Sequence, residues 1–212
     1  MRGVLGVLAA VIIGLGVPAL AANPDVGGVP VYTEDDYFSA DDWGMTVYSY
    51  VFNNSSASLP AIYPGFTLNA GETLFMYLLD GDAATTCSVD HFAVGNPELI
   101  AIPMVGWSTE VVPAGYNVGD HQDPYLYGFS GPAEAVIYTY TGNFMDPWST
   151  LDPGEYSLLY YVAATEDYGS VSATADGGGI GDNQLVPGPV PEPTTICLLA
   201  LGSLALLRKR KK

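Results

Sequence analysis

The chain has 212 residues and a formal net charge of −17, with 23 Asp and Glu against six Lys and Arg. All six cations are Arg2 and the run Arg208–Lys212, so nothing from Gly3 to Leu207 can neutralise a phosphate backbone, which excludes nucleic-acid binding. No Lys or Arg ion pair can form in the body of the chain, so its carboxylates must face water, accept backbone or hydroxyl hydrogen bonds, or bind cations such as calcium.

The N-terminal residues, 1–21, have the order of a secretory signal peptide. Met1-Arg2 is a short positive region, Val4–Val17 is apolar, and Ala19-Leu20-Ala21 is a small-residue cleavage pattern in which Ala19 and Ala21 are the recognised positions. Gly6, Gly14, Gly16 and Pro18 argue against a stable buried helix there. The mature chain is expected to begin at Ala22.

Residues 22–175 read as one all-β domain, a single antiparallel β-sandwich of Ig-like or jelly-roll type, flanked by an N-terminal signal helix and a short C-terminal transmembrane helix. Met45–Phe52 alternates, with Thr46, Tyr48, Tyr50 and Phe52 on one face. Thr73–Leu79, Ser88–Val94, Met104–Val112, Ala135–Tyr140, Tyr156–Ala163 and Ser170–Ala175 are further runs rich in Val, Ile, Thr and aromatics, separated by Gly, Pro, Asn and Asp. No sustained 3.6-residue apolar period lies between the two ends of the chain. The 15 tyrosines suit half-buried sheet faces.

The intervening segments read as loops. Thr33–Trp43 is acidic and aromatic, Asn53–Pro64 is a polar connection, and Pro113–Pro132 is a long loop. Two turns share a pattern: Leu68-Asn69-Ala70-Gly71-Glu72 and Leu151-Asp152-Pro153-Gly154-Glu155. In each, a Leu plugs the core, Gly supplies a positive φ, Glu exits to solvent, and an apolar strand follows. Such turns resemble those of many bacterial sandwich domains.

Candidate chemistry is sparse. Asp80-Gly81-Asp82 resembles the opening of a calcium loop but lacks the continuing ligand spacing and the closing Glu. Asp120, His121 and Asp123 offer oxygen and imidazole donors in the long loop, where Tyr116, Tyr125, Tyr127 and Phe129, with Trp148 beyond, offer an aromatic platform for sugar. Asp176 and Asp182, among glycines, are further oxygen donors. Cys87 stands alone in the domain, and on a strand it would lie roughly 13 Å from His91, too far for proton transfer. There is no G-x-S-x-G elbow and no cation to stabilise an oxyanion, so no catalysis and no cofactor is expected, calcium being the only ion considered.

Residues 176–189 read as a Gly/Pro linker. Residues 190–212 then have three parts in fixed order: Pro191-Glu192-Pro193, which disfavours helix, the apolar run Ile196–Leu207, and the basic end Arg208, Lys209, Arg210, Lys211 and Lys212. The apolar run falls short of the roughly 17–25 residues of a full membrane span and so is a weak anchor, while the basic end acts as a stop-transfer signal. This order resembles the PEP-CTERM sorting signal. The matching residues are Pro191, Glu192 and Pro193 with Arg208–Lys212; Thr194, Thr195 and Cys197 depart from the usual small or aliphatic residues. The resemblance implies export by a bacterium, a transient membrane helix, processing by an exosortase-like membrane protease, and association with the cell surface and extracellular polysaccharide. A structural or adhesive surface protein is the resulting expectation. The alternative is a carbohydrate- or calcium-binding module.

Overall fold

The computed structural model describes residues 23–95, 104–108, 126–130, 135–139, 150–165, 167–177 and 180–190, with 126–130 and 135–139 described through their backbone alone. All its regular elements are strands: β1 (Tyr32–Ala40), β2 (Trp43–Asn53), β3 (Thr73–Gly81), β4 (His91–Gly95), β5 (Met104–Ser108), β6 (Leu126–Ser130), β7 (Ala135–Thr139), β8 (Leu159–Ala164), β9 (Asp167–Gly177) and β10 (Ile180–Val190). The expected N-terminal and C-terminal helices lie outside the described residues. Among the described residues no helix is long and apolar enough to cross a membrane.

The strands form two five-stranded sheets, ordered β1-β2-β3-β8-β5 and β10-β9-β4-β7-β6, with every pairing antiparallel. The pair β3–β8 in one sheet and the pair β4–β7 in the other nest in sequence, so this part of the chain is wound as a folded-over hairpin. The sheets face each other across one apolar core. Phe38, Met45, Val47, Phe75, Tyr77 and Val162 from the first sheet meet Phe92, Val94, Val171, Ala173 and Val186 from the second. Phe92 lies edge-on to Phe38 at 6.1 Å and to Tyr77 at 5.7 Å. Each such ring or branched side chain contributes about 1.5–3 kcal/mol when fully buried.

The first sheet is covered on its outer face as well. Tyr50, Phe52, Leu74, Met76, Leu78, Leu159 and Tyr161 pack there under Val26 and Ile62, with Tyr48 beside them. Tyr48, Tyr50 and Phe52 therefore do share one face, as the alternation implies. The cover comes from the segment beginning at 24 and from the connection between β2 and β3. Asn53–Pro64 is thus not simply a polar connection, since Leu59 and Ile62 anchor it to the sheet. Burial on both faces explains why β3 is apolar at nearly every position rather than alternating.

The two similar turns adopt one geometry. Glu72 N donates to Asn69 O and Glu155 N to Asp152 O, at 3.1 Å each. Gly71 and Gly154 take φ of 83° and 82°, the left-handed value that the third position of a type II turn requires. Leu151 is buried in the core, and Leu68 packs partly buried on the outer cluster. The expectation that Glu exits to solvent is corrected at Glu72, which is only 7% exposed. Its carboxylate turns back and accepts from Asn69 N and Asn69 Nδ2 at 2.8 Å each, tying the turn shut. The turns lead into neighbouring antiparallel strands, and Tyr77 pairs directly with Tyr160 at the sheet's centre.

Three segments expected to be irregular are strands. Thr33–Trp43 forms most of β1 and the hairpin into β2, with Asp41 at φ 32° in the turn. The 113–132 stretch contributes Leu126–Ser130 as β6. The supposed linker 176–189 ends β9 and forms β10, which pairs with β9 from Ile180↔Gly177 to Val190↔Asp167. Its prolines are tolerated because β10 is an edge strand, where a missing N–H breaks no second ladder. The folded domain therefore extends to Val190 rather than ending near Ala175.

Candidate functional site

The last described residue, Val190, is paired with Asp167 and packs partly buried against the core. Pro191, Glu192 and Pro193 follow immediately and lie outside the described residues, as do Arg208, Lys209, Arg210, Lys211 and Lys212, and as do Ala19 and Ala21. No linker separates the sandwich from the proline-flanked segment. Strand β10 couples the two physically, because it is hydrogen-bonded to β9 and also lies along β1. Asp182 on β10 accepts from Ser39 N of β1 at 3.0 Å, and Tyr77 of β3 donates its hydroxyl to Pro187 O at 2.7 Å. These bonds fix the edge of the second sheet against the first and hold the start of the tail to the body of the domain.

Of the loop candidates, Tyr116, Asp120, His121, Asp123 and Tyr125 lie outside the described residues. Tyr127 falls within β6, in register with Tyr138 of β7. Phe129 is on the same strand, and Trp148 lies outside. The structure thus places Tyr127 on a paired strand rather than in the loop assigned to it.

The carboxylates find hydrogen-bond donors in place of cations. Asp82 Oδ2 accepts from the Tyr37 hydroxyl at 2.8 Å and Asp82 Oδ1 from Ala84 N at 2.9 Å, so this acid caps its own turn after β3. The Ala84 amide and the Tyr37 hydroxyl hold the Asp82 carboxyl below the ordinary range. Burial raises that of Asp182, but donors from Gln184, Ser39 and Asn183 outweigh it and leave the net shift downward. Asp80 goes the other way: burial raises it, the hydroxyls of Tyr156 and Tyr48 oppose this, and Asp82 adds to the rise. Asp36 on β1 is raised most among these acids, to about 6, first by burial and then by the neighbouring charges of Glu34 and Asp35.

Asp36 matters for a second reason. Among the described residues, Asp36 Oδ2 and Ser49 Oγ are the buried side-chain oxygens without a hydrogen-bond partner. A buried polar atom left unpaired costs about 1–3 kcal/mol. Both lie on the inner face of the first sheet. Glu34 shares that face two residues from Asp36, and it stands directly opposite Ser49 in the β1–β2 register. No group of three or more His, Cys, Asp or Glu side chains among the described residues is arranged to hold a metal ion. Cys87 packs partly buried against the core and precedes β4 rather than sharing a strand with His91.

Sequence reasoning missed Tyr32, Glu34 and Tyr168. The Tyr32 and Tyr168 rings meet at 5.4 Å, tilted by 32°, across the seam between β1 and β9. The signal lay in YTEDDYF itself: aromatic and acidic residues at every second position, Tyr32, Glu34, Asp36 and Phe38, have the period of a strand with one polar half.

Residues 189–211 match the family profile of the PEP-CTERM protein-sorting motif. No curated protein matches the chain. No solved structure matches it either. The chain therefore carries a PEP-CTERM sorting motif, the mark of an exported protein that an exosortase sorts across the membrane to the cell surface, and that motif begins where β10 ends.

Proposed function

We propose that this exported, exosortase-sorted protein is a non-catalytic structural or adhesive component of the cell surface, embedded in surface polysaccharide. The observation that supports this reading best is the direct junction of an acidic antiparallel β-domain with the sorting motif: β10 ends at Val190 and the match begins at residue 189. Such a domain, once freed of Arg208–Lys212, bears only acidic and neutral groups beyond its two His. In an anionic or neutral polysaccharide it remains hydrated and does not collapse onto the matrix by charge pairing. In this reading the signal peptide, residues 1–21, starts export and the basic end halts it. Ile196–Leu207 then holds Pro191-Glu192-Pro193 at the outer boundary of the membrane for the protease.

Cell fractionation tests it. The wild-type chain is expected in the surface fraction. Glu192→Ala, which leaves every residue of the sandwich unchanged, is expected to accumulate in the membrane fraction. Equal surface display of both chains would overturn the role given to the motif.

A further inference from the structure

We propose that the cleft between the start of β1 and the β9–β10 hairpin is a saccharide subsite that takes one uncharged pyranose ring. Tyr32, Glu34, Tyr168, Gly169, Ser170 and Pro187 line it, enclosing about 140 Å³. That is smaller than the roughly 300 Å³ at which drug-sized sites begin, so the space suits a single small ring with its chain continuing outside.

The walls match such a ring in chemistry. Tyr32 and Tyr168 meet at 5.4 Å with a 32° tilt, forming an aromatic angle against which the C–H face of a pyranose can pack. Tyr32 is 38% exposed, so the aromatic surface is open to solvent. Glu34 adds a carboxylate to the lining. A carboxylate accepts hydrogen bonds and donates none, which suits sugar hydroxyls as donors.

Ser49 and Asp36 share the sheet face of Glu34 but do not line the cleft, so recognition rests on the aromatic angle and the Glu34 carboxylate. Charge selects the ligand further. Glu34, Asp35 and Asp36 lie together on β1 with no Lys or Arg among the described residues, so a uronate or sulfated sugar is repelled.

A larger depression differs in its lining. Lined by Asn53, Asn54, Glu72, Thr165 and Asp167, it has about 330 Å³ and no aromatic surface, and its Glu72 is occupied by Asn69.

This subsite deepens the surface-polysaccharide reading and rests on it only for the source of the sugar. The test is isothermal titration of the full chain, purified in detergent, with uncharged gluco-, galacto- and manno-configured tetrasaccharides, with tetragalacturonate, and with calcium chloride alone. At least one uncharged tetrasaccharide is expected to bind and tetragalacturonate not to. Tyr168→Ala is expected to weaken binding about tenfold or more, with Tyr168→Phe close to wild type. Glu34→Ala is expected to weaken binding while its melting temperature stays level or rises, which separates a ligand role from a folding role. The proposal fails if no uncharged tetrasaccharide binds, if binding survives Tyr168→Ala unchanged, or if calcium alone binds at Glu34 and Asp36. C-terminal processing of the same Tyr168→Ala chain is followed in parallel. Normal processing with lost sugar binding is the expected result, whereas failed processing in the wild type would strike the sorting reading and leave the titration to judge the cleft.

Discussion

Asp36 shows how a single carboxyl behaves in a domain without Lys or Arg. Its folded value of about 6 lies above the ordinary 3.8 because burial, then Glu34 and Asp35, disfavour the charge. The folded state therefore holds a proton that the unfolded state has released. The stabilisation is fully present below about pH 4 and is lost as pH rises from there through about 6. Asp36→Asn should remove that slope and, after allowance for solvent screening, add about 1 kcal/mol of stability at pH 7. Melting curves of both chains between pH 4 and 7 check this; parallel curves would contradict it. Asp82 and Asp182 work in the opposite sense. Their carboxyls are held below the ordinary range, so what they contribute is present above it and lost on acidification. Glu72 is the other informative residue, because its carboxylate satisfies both donors of Asn69 from a buried position. Glu72→Ala should cost about 1–2 kcal/mol, measurable as a shift of the urea midpoint with an unchanged slope.

At the scale of elements, what the sequence conceals lies at the edges of the sheets. Strands β2, β3, β4, β7, β8 and β9 were legible as Val-, Ile-, Thr- and aromatic-rich runs and are interior strands, and β5, inside the Met104–Val112 run, was legible although it is an edge. The strands concealed in the sequence were β1, β6 and β10, and all three are edges. An edge strand pairs on one side only, so it tolerates acids, as in Tyr32–Ala40, or prolines and glycines, as in Ile180–Val190, and its composition resembles a loop. The aromatic cleft was hidden because it joins segments far apart in the chain, Tyr32 on the edge strand β1 and Tyr168 on β9 beside the edge strand β10. Strand β10 makes a direct test possible. A chain ending at Gly177 loses Val186 from the core, the Tyr77–Pro187 hydrogen bond and the Asp182–Ser39 contact. It should be strongly destabilised, while a chain ending at Val190 should melt as the full domain does. Equal melting of the two would mean that β10 is the dispensable linker its composition resembles.

At the scale of the molecule, charge and address act together. The body of the chain bears acids without Lys or Arg, so self-repulsion opposes compactness and ions should relieve it. Sodium chloride should raise the melting temperature at neutral pH, and calcium should raise it further only if a specific site exists beyond screening. If calcium does no more than sodium at equal ionic strength, only screening remains. The remaining cations sit in the tail that follows β10, and the account requires that they be removed after they have halted export. The most direct measurement is therefore the C-terminal mass of surface-released protein, compared with Glu192→Ala and with a host lacking the exosortase. The account predicts a wild-type product that retains β10 through Val190 and lacks Ile196–Lys212. A surface protein that still carries an intact Arg208–Lys212 would contradict it.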